Sequence, residues 1–136
     1  MKKTTYDGKD WVFKLLSANT ALKTAISGKI YKDKRPSGST KEDIVINALP
    51  ITNDFLQDMS LNVNCYVPFR SETINGIEQD IPNNAREQVI ANLVHPLLDD
   101  VFKSQFNLTI ENQTTIAELT ENANYINFRI NLKAYN

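Results

Sequence analysis

Between Asn84 and Lys103 the apolar residues fall in adjacent pairs: Val89 with Ile90, Leu93 with Val94, Leu97 with Leu98, and Val101 with Phe102. Each pair returns after four positions, which on a helix draws one broad apolar stripe. Arg86, Glu87, Gln88, Asn92, Asp99, Asp100 and Lys103 lie largely outside it. The pattern predicts a long helix over Asn84 to Lys103, laid on an apolar layer supplied by the rest of the chain. Asn83 or Asn84 is the expected N-cap, because a side-chain oxygen there accepts from the first unpaired amides. Pro96 interrupts the pattern without shifting it, so a kink is expected there.

The layer under that helix is written in alternation of period two. Tyr125 to Tyr135 sets Ile126, Phe128, Ile130, Leu132 and Ala134 against Tyr125, Asn127, Arg129, Asn131 and Lys133, a strand expected well inside a sheet. Ser60 to Val67 repeats the device, with Leu61, Val63, Cys65 and Val67 on one face and Asn62, Asn64 and Tyr66 on the other. Phe55, Gln57 and Met59 extend it backward in phase. Asp43 to Leu49 reads as a buried β-branched strand, Lys29 to Lys32 as a short one, and Phe106 to Thr114 with Thr115 to Leu119 as one strand or two.

Two helical stretches precede the strands. Asp7 to Ala18 carries Trp11, Val12, Leu15 and Leu16 at helical spacing with Asp7 as cap, and Thr20 to Ser27 follows, capped by Thr20 and closed by a left-handed Gly28. From Asp33 to Asp43, DKRPSGSTKED breaks every period and predicts a mobile loop. Pro68 to Pro82 contains Asn75-Gly76, the dipeptide suited to a type I′ turn. That segment is either a small hairpin or a long loop whose isoleucines dock on a neighbour. The order α, α, β, β, β, α, β, β favours an α+β fold. The expectation is an antiparallel β-sheet with one long helix from the C-terminal half and a shorter N-terminal helix packed on it.

At 136 residues the chain is expected to form one domain spanning 1–136. Fifteen basic against 16 acidic residues give a net charge of −1, so no global field draws nucleic acid. Cys65 is the only cysteine, which leaves no intrachain disulfide and suits a reducing cytoplasm. No apolar run approaches the ~20 residues that cross a bilayer, so a soluble protein is expected.

Candidate chemistry is sparse. His95 and Asp99 stand four apart on the long helix with Asp100 beside them, but zinc needs three or four ligands and the chain has no second histidine. A surface or interface histidine is the better reading, and Asp99 and Asp100, ill placed at a helix C-terminus, are expected to be held by a cation. Glu78 with Asp80 and Glu118 with Glu121 sit in turns with no apolar pocket to shift a pKa. The glycines stand singly, so no phosphate-cradling loop is present. No catalytic residue, metal or cofactor is expected. Lys32, Lys34, Arg35 and Lys41 make the loop after the first strand basic: either solvated, or an arm reaching an acidic partner or a phosphate backbone. Asn62, Asn64, Asn127 and Asn131, with Tyr66, Tyr125 and Arg129, give the polar strand faces a composition suited to plain exposure or to a partly wet subunit interface.

Taken together, LKTAISGKIYKDKRPSGST, the strands ending DIVINALP and LNVNCYVP, the helix of paired aliphatics and the final YINFRINLKAY resemble the tail-completion and tail-terminator proteins of long-tailed bacteriophages. The residues carrying the likeness are Gly28, Ile30, Tyr31, Arg35, Pro36, Ile44, Val45 and Ile46; the segment Phe69 to Ile81 matches no family motif. The resemblance implies a virion subunit assembled in the bacterial cytoplasm, without reaction or cofactor. It would form a homo-oligomeric ring, typically a hexamer, at the head-proximal end of the tail, between tail tube and head connector. DNA would pass only as cargo and no membrane would be involved. The candidate interface is Lys32, Lys34, Arg35, Ile74, Ile77, Asn62, Asn64, Tyr66, Asn127 and Arg129. A head-completion (neck) protein and a secretion-system adaptor are alternatives within the same architecture. A small-molecule-binding or enzymatic domain, with His95 or Tyr66 as polar handles beneath the long helix, is the rival of a different class.

Overall fold

The computed structural model describes residues 1–136. Eight strands and three helices follow in the order α1 (Thr5–Ser17), α2 (Thr20–Ala25), β1 (Ile30–Lys32), β2 (Ile44–Ile51), β3 (Leu56–Pro68), β4 (Arg70–Ile74), β5 (Ile77–Ile81), α3 (Asn84–Leu98), β6 (Val101–Phe102), β7 (Phe106–Glu118) and β8 (Ala123–Tyr135). Six strands form one sheet in the order β1-β2-β3-β8-β7-β6, and β4 with β5 forms a separate hairpin. β3 and β8 pair antiparallel along their whole length, from Leu56 opposite Tyr135 to Pro68 opposite Ala123. They are the two sequences with the cleanest alternation, and strict alternation fixes register, since a one-residue slip would turn every core side chain to solvent.

One face of this sheet carries the core. Met59, Leu61, Val63, Cys65 and Val67 of β3 and Ile126, Phe128, Ile130, Leu132 and Ala134 of β8 pack under Val12 and Leu16 of α1, Leu22 of α2, and Ile90, Val94 and Leu98 of α3. Truncating Phe128 to alanine would cost about 3–5 kcal/mol. Trp11 stacks flat on Phe106 at 4.6 Å between centroids. At Gly8 a Cβ would lie 2.0 Å from Cε of Met59, so α1 lies close to β3 there because that position has no side chain.

The structure corrects the expected architecture in several places. The sheet is mixed, because β1 runs parallel to β2. Parallel neighbours need a crossover, and residues 33–43 supply it across the outer face, which is why Val45 is buried although its neighbours Ile44 and Ile46 are the ones facing the core. The three helices come in the expected order, but α1 with 13 residues is nearly as long as α3 with 15, so no one helix dominates. α3 stops at Leu98 rather than Lys103: Asp100 turns the chain at φ 51°, and Val101 and Phe102 pair with Leu108 and Asn107 as a short edge strand. Pro96 therefore sits in the last turn of α3.

The caps also differ. Thr4 is the N-cap of α1, while Asp7 one turn in accepts the Thr4 amide at 2.7 Å. Asn19 caps α2, its Oδ1 accepting from the Leu22 amide at 2.9 Å. Gly28 is not a left-handed exit; α2 ends at Ile26 in extended conformation. A Cβ at Gly28 would lie 2.0 Å from Oδ1 of Asp43 and 2.6 Å from the Glu42 carbonyl oxygen, so close backbone approach is what that glycine permits. β7 is a single strand bent by a bulge between Ile110 and Asn112.

Candidate assembly surfaces

The face of the sheet away from the helices is floored by amides. Asn62 lies opposite Asn47 of β2 and Arg129 of β8, so its side chain has a partner on each side. Asn62 Nδ2 donates to Asn47 Oδ1 at 3.0 Å; Asn62 Oδ1 accepts from Arg129 Nε at 2.8 Å and from Asn127 Nδ2 at 3.1 Å. Asn127 also donates to Asn64 Oδ1 at 2.7 Å. One step further, Asp58 accepts from Asn131 at 2.6 Å and Lys133 at 3.0 Å, and these bonds hold its carboxyl below the usual range, the Asn131 bond foremost. Four of the ten sequence-derived interface residues, Asn62, Asn64, Asn127 and Arg129, meet in this half-buried band across three strands. Such a band is hydrogen-bonded and half-buried, a composition that suits a wet interface.

At one end of that face the crossover loop is pinned rather than free, because Arg35 turns inward. It is 6% exposed and lies over the Tyr66 ring at 3.8 Å. Its Nη2 donates to Glu121 at 3.0 Å; its Nη1 reaches the Lys41 carbonyl at 3.3 Å and Asp43 at 3.5 Å. Burial pushes the Tyr66 hydroxyl above its ordinary pKa, with Glu121 adding to the effect and Arg35 opposing it. Of the basic cluster, Lys32 is tied to Asp10 at 3.1 Å and lies over Phe13, while Lys34 is exposed.

The loop is anchored by Asp43 and Glu42, which carry no periodic signature. Asp43 is 1% exposed; its Oδ1 accepts the Lys29 amide at 3.0 Å and its Oδ2 the Ser39 hydroxyl. Glu42 takes both Nε and Nη2 of Arg86 at 2.8 Å, and Arg86 also donates to the Ala25 carbonyl. This fork ties the start of α3 to the end of α2 and keeps the Arg86 pKa above its ordinary value. The signal in the sequence was only the pair Glu42-Asp43 standing before an apolar run.

Ile74 and Ile77 flank a tight turn in which Asn75 and Gly76 both take positive φ, 52° and 76°, as a type I′ hairpin requires. Every residue from Arg70 to Asp80 is exposed. The hairpin therefore stands off the body with no core of its own, and an isolated two-stranded hairpin is marginally stable in water.

His95 is exposed, its ring edge-on to Phe128 at 6.3 Å, and no group of three or more potential metal ligands comes together. Asp99 is held not by a cation but by the Ile110 amide at 3.0 Å and the Thr109 hydroxyl at 3.3 Å, and the amide bond above all lowers its pKa. Cys65 is buried, and desolvation pushes its thiol up to about 12. Ile90, Val94 and Leu98 of α3 pack into the core on the sheet, and a hollow of about 230 Å³ beside them, lined by Asn84, Glu87, Gln88, Ala91, Gln113, Thr115 and Ile126, contains neither His95 nor Tyr66. No helix is long and apolar enough to cross a membrane.

No protein-family model and no curated protein matches the sequence. Among solved structures, the fold matches a chain from the virion of a native gene transfer agent particle, with TM-score 0.61, 12% identity and 92% of each chain covered. At that identity the likeness is one of fold, and it extends over nearly the whole of both chains.

Proposed function

We propose that this chain is a structural protein of a phage or phage-like virion: a tail-terminator or tail-completion subunit. In this reading it forms a ring, six-fold by family resemblance, at the head-proximal end of the tail and joins tail to head. The observation that carries the reading is the end-to-end likeness of its fold to a virion chain. The surface supports it, because a fully exposed hairpin, a band of paired amides and a sheet open at both edges are features that a second protein surface completes. A closed ring needs different patches of one subunit to meet, and these patches differ in chemistry. The subunit acts by shape, without catalysis or cofactor, assembling in the bacterial cytoplasm with DNA passing through as cargo.

The test is assembly. Light scattering over a concentration range, with and without tail tube, is expected to show a discrete multimer, and negative-stain images to show a ring. Persistent monomer in both conditions would overturn the proposal. Gold-labelled protein found on the head side of the joint, with tails ending normally without it, would instead support the head-completion reading.

A further inference from the structure

The hairpin and one groove on the same chain have complementary chemistry. On the hairpin, Ile74 and Ile77 face each other across the strands beside the turn, and Ile77 is 63% exposed. Its charged residues are Arg70 against Glu72, Glu78 and Asp80, an acidic excess. The groove, of about 540 Å³, lies between α1, α2 and β1; Phe13, Ile26 and Ile30 line it, Lys23 and Lys29 rim it, and no acidic side chain does. β1 ends the sheet on that side, so its outer edge has no strand partner.

Register places the root of the hairpin close to the height of the groove. Ile30 lies level with Ile44, and Ile44 with Cys65; the hairpin leaves the sheet just beyond, after Pro68. A copy displaced sideways by rotation about an axis along the strands would thus bring the root of its hairpin close to the level of its neighbour's groove. A smaller hollow of about 310 Å³, lined by Trp11, Leu15 and Phe106 and flanked by Lys14 and Lys103, lies at the opposite end, where Phe106 pairs with Ala134.

We infer that the occupant of the α1–α2–β1 groove is the β4–β5 hairpin of a second copy, with Ile74 and Ile77, which share one face, on the apolar floor, and the acidic excess of the hairpin, Glu78 and Asp80 of its opposite face included, set against the rim of Lys23 and Lys29. This rests on the ring reading above and names its contact. The contact is heterologous, leaving each copy with one hairpin engaged and one groove filled, which is the condition for closure into a ring. It also gives the marginal hairpin the packing it lacks in the monomer.

The test uses the full-length chain. Ile77→Asp, and separately Lys23→Glu with Lys29→Glu, are expected to weaken self-association by about tenfold or more while circular dichroism stays unchanged, since all three side chains are exposed. Adding Glu78→Lys and Asp80→Lys to the lysine reversal is expected to restore assembly, whereas Lys14→Glu with Lys103→Glu is expected to leave it intact. Under mild oxidation, a mixture of Lys29→Cys and Ile77→Cys proteins is expected to form crosslinked dimers that neither forms alone. A multimer of unchanged mass in both variants, or Ile77→Cys crosslinking to itself, removes this contact while the ring stands. Wild-type chain that never leaves the monomer overturns the ring reading and this contact together.

Discussion

Replacing Arg35 with alanine probes the feature that turns the crossover loop into part of the folded body. Arg35 is 6% exposed and Asp43 1%, and removing one member of a buried ion pair typically costs about 3–5 kcal/mol because the remaining charge is left without its partner. Two things reduce that figure here. The Nη1 to Asp43 distance is long at 3.5 Å, and Glu121, the closer partner at 3.0 Å, keeps about a third of its side chain in solvent. Asp43 also retains the Lys29 amide and the Ser39 hydroxyl. Loss of the guanidinium over Tyr66 adds about 0.5–2 kcal/mol. The expected net loss is about 2–4 kcal/mol, a fall in Tm of roughly 6–16 °C for a chain of this size. Urea unfolding followed by Trp11 emission measures it, at concentrations where the chain is monomeric. Limited trypsin digestion reads the loop directly, with cleavage after Lys34 and Lys41 expected to rise about tenfold or more as the loop detaches. Arg35→Lys keeps the charge but loses the fork and the planar stack, so it should fall between. An Arg35→Ala protein within about 0.5 kcal/mol of wild type, with no new cleavage, would refute the clamp.

Gly28→Ala is expected to destabilise by about 2–4 kcal/mol, because its Cβ meets the Glu42 carbonyl and the fixed Asp43 carboxylate; Gly8→Ala should stay within about 1 kcal/mol, since only the flexible end of Met59 must move and the helix gains propensity. Paired thermal melts compare the two. Asp99→Asn tests a pH effect whose sign follows from the lowered carboxyl. The ionised form contributes stability above the ordinary carboxylate range and loses it as pH falls through the depressed value. The wild-type advantage over the variant should thus be full at neutrality and vanish in acid, by urea midpoints across pH. Cys65 should resist a disulfide-exchange reagent at pH 8 in the native chain and titrate as one thiol per chain in denaturant, given its burial and a pKa near 12.

What the sequence revealed, and what it hid, follows the range of the forces involved. β3 and β8 were legible because both faces of each strand have consistent partners along the whole strand, so alternation survives intact. The hairpin turn was legible because positive φ at Asn75 and Gly76 is a local demand. The end of α3 was not, since Val101 and Phe102 keep the helical phase while serving a strand, and the break is made by Asp99 bonding to Ile110, eleven positions on. The exposed half of β7, with its bulge, shows no clean period. Parallel pairing of β1 with β2, and the burial of Arg35, depend on contacts between distant segments, such as Arg35 to Glu121, that no local window contains. Of the candidate surface residues, the asparagines announced themselves by being where strands avoid them. The groove between α1, α2 and β1 had no signature at all, because it is made from three elements.

β7 runs on past β6, so from Thr109 onward one side of its ladder lacks a strand, and Glu111 to Ala117 are all exposed. Two such borders meeting about a dyad between Thr114 and Thr115 would set Glu111 of each molecule against Glu118 of the other. Opposed like charges disfavour that marriage, and the bulge at Ile110 further spoils the match. In that register, two molecules meeting along β7 are thereby discouraged from fusing edge to edge into one continuous two-fold sheet.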